Sequence, residues 1–320
     1  MRATFHRHLL RPAANGAVVS VGVFDGVHVG HLAILAENVA RAKERGCEPT
    51  VVTFRRHPKR LLLGRAPKSL TTLDHRMALF ERAGVEHVVA LKFDERMRAT
   101  SAEEFARDIL ANGLDAKHLV LGFDSKFGAG RRGTPEWLRE QGWSVDVVEQ
   151  VLVGKRPVSS TAIREAVELG DLEAASQMLG RPVSVLGRVV HGSAIGRSLG
   201  FPTANLNLMH ELHPPNGVYA ARTRRITRGR VGPQRDAVVN IGRRPTVERD
   251  ATVDPRVEVH LLDWEGSLYG DRLEVEFVAR LRTERRFEDR SSLEHQIARD
   301  VVAAREVLAQ DAAAREDGRA

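Results

Sequence analysis

Two domains of different class are predicted. Residues 1–182 read as a doubly wound parallel α/β domain, and residues 183–320 as an antiparallel β-barrel with a C-terminal helix. Three observations predict them. The chain has 320 residues, beyond the roughly 250–300 at which single cores stop growing. Up to about residue 150, short apolar runs alternate with segments of helical periodicity, as in parallel strands joined by helices. From residue 183 strands succeed one another with turns but no helices between them, as in an antiparallel barrel.

Residues 17–24 (AVVSVGVF) form a short, valine-rich strand. A helix follows over 31–45. Leu32, Leu35 and Val39 share one face, Lys43 and Arg45 occupy the last turn, and Gly46 ends it. After Pro49 a second strand covers 50–54, a helix over 72–83 is stopped by Gly84, and 87–93 (HVVALKF) is the next strand. Ser101 and Glu104 make a capping box, each side chain satisfying the other's free amide. Phe105 and Ile109 follow one turn apart, and Gly113 closes that helix. Strands over 118–123 and 144–148 complete the half, with a helix between them opened by Thr134 as cap and Pro135 at its first position.

Two short helices, 161–169 and 172–179, are separated by Gly170, and Gly180-Arg181-Pro182 marks the seam. Strands then cover 183–191, 218–224, 237–241, 257–262 and 273–281, with turn residues at Pro214-Pro215-Asn216-Gly217 and Tyr269-Gly270. Ser291 and Glu294 form a second capping box. Leu293, Ile297, Val301 and Leu308 then share a face that packs on the barrel, and the polar tail 312–320 frays.

Composition excludes some function classes. With 42% hydrophobic and 28% charged residues, the chain can offset its conformational entropy, and disorder is excluded. The net charge of +7 suits nucleic acid, an acidic membrane surface or phosphorylated small molecules. A basic nucleic-acid-binding protein is the weaker alternative, since only 5% of residues are aromatic, no nucleic-acid motif occurs and acidic residues interleave with basic ones. No apolar run reaches the roughly 20 residues of a membrane span. A single cysteine, Cys47, precludes an intramolecular disulfide or a cysteine-based zinc cluster and points to the cytoplasm. A weak homo-oligomer is the only protein partner left open.

The first constellation is Gly22-Val23-Phe24-Asp25-Gly26-Val27-His28-Val29-Gly30-His31. It follows a strand end, where open α/β sheets place ligands, and it opens a helix, whose free amides favour phosphate. His28 and His31 put two imidazoles beside one anionic group, where they can stabilise developing charge. Metal ligation by the pair is the rival reading, without an evident third ligand nearby. Ser159-Ser160-Thr161 is a helix cap cluster, and Arg164 one turn in makes it suitable for a polyphosphate as well. Residues 122–133 (GFDSKFGAGRRG) form a glycine-rich loop with Lys126, Arg131 and Arg132. Its plain reading is a basic surface loop.

The second constellation is 187–205 (GRVVHGSAIGRSLGFPTAN), a strand passing into a basic glycine-rich loop that is no P-loop. Thr203 and Asn205 offer neutral oxygens two residues apart, which suit Mg2+ bound with ATP phosphates. Glu258 alternates with Val257, Val259 and Leu261 and shares a face with His260. It is either a solvent-facing strand residue or a base at a barrel mouth.

Together these motifs resemble the bifunctional bacterial riboflavin kinase/FAD synthetase family, from about residue 18 to 300. The kinase half adds Asn-Ile-Gly-x-x-Pro-Thr at 240–246, Glu-Val-His-Leu-Leu-Asp at 258–263 and Leu-Tyr-Gly at 268–270. The resemblance implies a nucleotidyltransferase-like, Rossmann-type FMN adenylyltransferase domain and a riboflavin kinase barrel, acting on ATP, riboflavin and FMN with Mg2+. In the first domain it places ATP at Gly22, Phe24, Asp25, Gly30, Ser160, Thr161 and Arg164, with His28 and His31 at the α-phosphate. The flavin and its phosphate fall to His57, Asp124, Lys126, Phe127, Gly128 and Arg131. In the second it places ATP at Gly187, Gly192, Gly196, Arg197, Gly200, Pro202, Thr203 and Asn205. Thr203 and Asn205 also take the metal, and Glu258 is the general base. Two departures touch the first domain. Arg55-Arg56 replace Asp-Pro in Thr-Phe-Asp-Pro-His-Pro, and Ser125 replaces Phe in Asp-Phe-x-Phe-Gly. They leave a second alternative, a kinase with an inactive or repurposed N-terminal domain.

Overall fold

Valine-rich runs that bury both faces can only be central strands of a covered sheet. The computed structural model, which describes residues 1–64, 67–191, 196, 200–209, 211–227, 230–242 and 256–318, arranges them so. By backbone contacts the chain divides into two units, Met1–Ala162 and Ile163–Ala320. The first unit holds β1 (Arg2–Thr4), β2 (Ala17–Val21), β3 (Glu48–Phe54), β4 (His87–Leu91), β5 (Ala116–Gly122) and β6 (Val145–Val148). They form one sheet in the order β1-β4-β3-β2-β5-β6, with every neighbouring pair parallel. The order turns back at β2, whose neighbours are β3 and β5, so its carboxyl end is the crevice where such sheets take ligands.

The connecting helices are α1 (Val29–Arg45), α2 (Lys59–Leu62), α3 (Leu73–Arg82), α4 (Glu95–Ala99), α5 (Ala102–Phe105) and α6 (Pro135–Glu140). They cover both faces. Leu35 and Phe80 pack with Val51 and Val88 in one core, and Phe105, Ile109 and Leu138 pack with Val19 and Leu119 in another. The capping signals perform as read: Ser101 and Glu104 make both reciprocal bonds, and Thr134 accepts from Trp137 N ahead of Pro135. The helix beyond Phe105 widens into a π-type turn over Ala106–Ala111. The first strand ends at Val21, three residues short of the expected end, because the chain turns at 22–28. Strand β1 and the short hairpin β7 (Leu152–Val153) with β8 (Arg156–Pro157) carry too few residues to show a period.

Helices α7 (Ser160–Leu169) and α8 (Leu172–Leu179) follow, and the contact division falls within the first turn of α7, upstream of Arg181-Pro182. The barrel strands are β9 (Ser184–Val190), β10 (Ala204–Asn207), β11 (Gly217–Thr227), β12 (Arg230–Gly242), β13 (Arg256–Leu261) and β14 (Arg272–Arg282). They close in the order β10-β13-β12-β11-β14-β9, antiparallel throughout. Val185, Val239, Val259 and Val275 are fully buried in the strands. Strand β10 lies in the stretch read as loop, since proline and glycine mask its four residues.

The last helix, α9 (Arg290–Glu316), lays Ala304 and Leu308 on Val218, Val238 and Leu262. Two expectations about it are corrected. Its cap is Asp289, whose Oδ1 accepts from Ser292 N at 2.7 Å, so Ser291 lies inside the helix and forms no box with Glu294. The tail is helical to Glu316 rather than frayed from 312. An aspartate two residues earlier is an equally good cap, and it holds the position.

At the sheet edge His87, 1% exposed, joins β1 to β3 and β4. Arg2 Nη2 lies 3.0 Å from its Nδ1 and Thr4 Oγ1 3.0 Å from its Nε2. Arg2, which only donates, favours a neutral ring with Nδ1 accepting, and Glu48 Oε2, 3.3 Å from the same nitrogen, favours the charged one. Burial pushes the His87 pKa below its ordinary value of 6.5, Arg2 pushes it the same way, and Glu48 opposes them. The unfolded chain therefore binds the proton more tightly. The stabilisation is complete above about pH 6.5 and is lost as pH falls below it. Thermal melts across this range are expected to show the wild-type midpoint falling with acidification, and His87→Gln to flatten that limb.

Candidate active sites

In the first unit the site begins where β2 ends. Gly22 N still donates to Val52 O at 3.0 Å, and then the chain leaves the sheet. Phe24 and Val27 both adopt positive φ, 52° and 42°. Neither is glycine and one is β-branched, so this backbone is strained. The turn is held from several sides. Asp25 Oδ1 accepts from Thr71 N at 3.1 Å, Gly26 N donates to Thr71 Oγ1 at 2.9 Å, and Phe24 meets Phe80 edge-on at 5.6 Å.

The turn delivers the two histidines. His28 is the N-cap of α1, and its Nδ1 accepts from His31 N at 3.3 Å. The two rings stack with centroids 3.6 Å apart and planes 15° from parallel, and Phe24 lies 5.1 Å from His31. Gly30 is the second residue of the helix, and a Cβ there would sit 3.3 Å from His28 Nδ1. Ser160 Oγ donates to Asp25 O at 2.9 Å, so residues 135 positions apart in sequence meet at one turn. Thr161 is exposed beside it, and Arg164 lies one helical turn further along α7. Among the described residues no group of three or more His, Cys, Asp or Glu could hold a metal, and the metal reading of His28 and His31 gains no third ligand there.

The loop after β5 is also preformed. Phe127 pairs with Gly133 in both directions at 3.0 Å, and its ring packs 5.0 Å from Phe105 and 6.1 Å from Trp137. Phe127 thus anchors the loop in the core. Gly128 has φ +74°, and a Cβ would fall 2.5 Å from Ala102 N, which only glycine permits. Asp124, Lys126 and Arg131 are exposed on the loop so fixed. His57 is half-buried after β3 and accepts from Lys59 N at 3.1 Å. Arg55 and Arg56 are exposed, with the Arg55 guanidinium 5.7 Å over the Phe5 ring.

In the barrel the register decides which side chains meet. Directly opposed residues of an antiparallel pair share a face. Glu258 is opposed by Asn205 on one side and Asn240 on the other, so the three form a polar row across β10, β13 and β12. Thr203 lies two residues before Asn205. Val257, Val259 and Leu261 point to the buried side, and Glu258 and His260 line a cavity of about 290 Å³ on the opposite side. The expected alternation therefore holds, with the carboxylate on the outer wall of the barrel. Thr203, Asn240, Arg282, Phe287 and Asp300 line the same cavity.

A smaller hollow of about 60 Å³ adjoins, lined by Pro202, Thr203, Val259, Trp264, Leu268 and Tyr269 among others. Thr203 borders both. The Tyr269 ring stacks on His191 at 4.1 Å, and His260 Nδ1 donates to Pro202 O at 2.9 Å. Gly196 O accepts from Phe201 N at 2.8 Å, and Gly200 turns with φ +81°. Gly187 belongs to the wall itself: a Cβ there would lie 2.9 Å from Leu206 Cβ, so it allows β9 and β10 to approach. Gly192, Arg197 and the 243–246 part of the Asn240 motif lie outside the described residues.

Arg282, Asp300 and Phe287 are among the cavity residues that the sequence reading missed. Arg282 and Asp300 form a two-pronged ion pair, Nε–Oδ1 2.9 Å and Nη2–Oδ2 2.7 Å, tying β14 to α9. Phe287 lies beneath the Arg285 and Arg282 guanidiniums at 4.8 and 5.8 Å. A lone aromatic in the charged run TERRFED was the available signal.

A helix start carrying paired imidazoles at a sheet's crevice, and a barrel carboxylate beside two hollows, define a two-domain enzyme of phosphate transfer. Family models agree on both halves. The FAD synthetase family matches residues 10–162 and the riboflavin kinase family residues 179–308. A bifunctional riboflavin kinase/FMN adenylyltransferase of Pseudomonas fluorescens is 40% identical, over 95% of this chain and 97% of its own. The protein of the same description from Escherichia coli K12 is 37% identical, over 93% and 95%. The chain belongs to the bifunctional riboflavin kinase/FMN adenylyltransferase family. A solved structure described as a macrolide-efflux protein from Streptococcus pneumoniae superposes with a TM-score of 0.79 at 28% identity, covering 95% of this chain and 99% of that one. Efflux is said of that protein. Here, among the described residues, no helix is long and apolar enough to cross a membrane.

The adenylyltransferase turn leans on one hydroxyl. Thr71 is 2% exposed, and Thr71→Val removes the acceptor for Gly26 N while conserving shape. Losing that hydrogen bond is expected to cost about 0.5–1.5 kcal/mol, read by chemical denaturation, with FAD formation falling and FMN formation unchanged.

Proposed function

We propose that the chain phosphorylates riboflavin with ATP to FMN in its C-terminal unit and adenylylates FMN with ATP to FAD in its N-terminal unit. The observation that carries this reading is that the His28–His31 pair at the end of β2 stands in one unit and the Glu258 row between Asn205 and Asn240 in the other. Phosphoryl transfer needs positioning and charge neutralisation more than covalent chemistry. Glu258, between two asparagines and open to the larger cavity, takes the proton of the ribityl hydroxyl as its oxygen attacks the γ-phosphorus and ADP leaves. A base is needed because an alcohol is a poor nucleophile while it keeps its proton. The cavity between the barrel and α9 takes the flavin, and the hollow on the other side of Thr203 takes ATP.

Thr203 and Asn205 are hard, neutral oxygen donors on one face, beside the Glu258 carboxylate. That donor set fits Mg2+, which keeps several waters and phosphate oxygens and needs few protein ligands. When bound there it would neutralise charge on the ATP phosphates.

In the N-terminal unit an FMN phosphate oxygen attacks the α-phosphorus of ATP, and the bond to pyrophosphate breaks. His28 and His31, with the free amides of α1, stabilise the charge gathered on the α-phosphate. Ser160, Thr161 and Arg164 hold the remaining phosphates, and the basic loop with Asp124, Lys126 and Arg131, together with His57, receives the flavin phosphate. We place the functional seam at Arg181-Pro182. The chain works in the cytoplasm, and the +7 charge serves phosphorylated small molecules rather than nucleic acid. Arg55 and Arg56 add positive charge at the adenylyltransferase edge.

Incubation with riboflavin, ATP and Mg2+ followed by chromatography is expected to yield FMN and then FAD. Glu258→Ala is expected to abolish FMN formation but spare FAD formation from supplied FMN, and His28→Ala with His31→Ala to do the reverse. Loss of both reactions in either folded variant would remove the assignment of one reaction to each unit. FMN accumulating without FAD in the parent chain would establish the kinase-only alternative, and restoring Asp-Pro at 55–56 then tests its cause.

A further inference from the structure

Arg76 stands apart from every motif used above. It lies in the first turn of α3 and is 5% exposed. Its Nη1 donates to Val23 O at 2.5 Å and to Thr53 Oγ1 at 3.0 Å, and its Nη2 donates to Phe54 O at 2.9 Å. Thr53 Oγ1 also donates to Val23 O, at 3.1 Å. One guanidinium thus joins the carboxyl ends of β2 and β3, which flank the crevice. Burial pushes its pKa down, and the nearby Asp25 carboxylate draws it back up.

Removing a cation from water costs several kcal/mol, and an apolar side chain of similar volume is often no less stable. Stability alone therefore accounts poorly for an arginine here. Its fork spans Thr53 and Phe54 at the end of β3 and Val23, the residue before the strained turn. Val23 O is fixed immediately ahead of Phe24, whose φ is 52°, and Val27 at φ 42° follows. Strained backbone of this kind persists only where its surroundings over-determine it. Thr71 holds the middle of the turn and Ser160 its far side. Arg76 holds the point of departure from the sheet.

We propose that Arg76 is a positioning residue of the adenylyltransferase site, fixing where the chain leaves β2 and so where the His28–His31 pair stands. It acts on the pair through the backbone from Val23 to Val27. The inference rests on His28 and His31 acting at the α-phosphate, and the His28→Ala, His31→Ala variant tests that separately.

The test uses the full chain, with FMN formation from riboflavin as an internal measure of intact protein. A catalytic group displaced by about an ångström can cost on the order of a hundredfold in rate. Arg76→Met is expected to lower kcat for FAD formation by about ten- to a hundredfold, with KM for ATP and FMN within about threefold and FMN formation unchanged. Arg76→Lys, which can still reach one carbonyl, is expected to recover part of the loss. Residues that act as a unit are not additive. Introduced into His31→Ala, Arg76→Met is therefore expected to cost less than about a further twofold. Unchanged FAD formation in Arg76→Met would overturn the proposal, as would full multiplication of the two losses. If Arg76→Met does not fold, Arg76→Lys decides: a reduced kcat with a wild-type melting profile supports the role, and a wild-type kcat overturns it.

Discussion

Strand pairing fixes both sites before any side chain acts. In a parallel sheet all carboxyl ends lie along one edge, so the residues that follow β2, β3 and β5 are gathered there whatever their separation in sequence. The order β1-β4-β3-β2-β5-β6 then opens a crevice at β2, where the chain on one side leads to β3 and on the other to β5. In the barrel, pairing works across the strands rather than at their ends. A carboxylate flanked by Val257 and Val259 can face only the side its neighbours avoid, and register sets Asn205 and Asn240 at its shoulders. A slip of one residue would turn Glu258 inward and the valines outward, which the buried core forbids.

The two sites use this scaffold in opposite ways. The N-terminal site is a turn whose backbone is held against its own preference. Phe24 and Val27 occupy conformations costing on the order of 1–3 kcal/mol each, and the cost is met by buried hydrogen bonds to Asp25, Gly26 and Val23. Such a turn suits a reaction in which charge builds at a fixed point, because the groups are already in place. The barrel site is a space between packed elements. Its wall from 283 to 289 is drawn in by Arg282–Asp300 and by the contact of Phe287 with two guanidiniums, as a bulky planar substrate requires.

Much of this was legible in the residues. The valine runs, the Ser101–Glu104 box and the Thr134-Pro135 start each carry a local signal that tertiary packing did not override. Glu258 was placed on the correct face by alternation alone. Other features left no such trace. Strand β10 is four residues long and follows Gly200 and Pro202, so turn chemistry hides it. Asp289 and Ser291 are both competent caps two residues apart, and the residue types alone do not choose between them. The strain at Phe24 and Val27 is invisible because neither residue announces a positive φ. Arg76 reads in sequence as a charged residue on an amphipathic helix, the place where arginine is ordinarily solvated.

The reason is physical. Periodicity sorts residues by what water prefers, so it assigns a lone arginine to the outside. A guanidinium can enter the core only where several carbonyl and hydroxyl oxygens converge on its fork, and such convergence arises only when two strand ends and a helix start meet. Val23 O, Thr53 Oγ1 and Phe54 O come together because β2 and β3 are adjacent and β3 runs two residues past the Val21–Val52 pair, alongside the chain leaving β2. The buried cation is thus a consequence of the same pairing that opens the crevice, and the site and its support are specified together by the sheet.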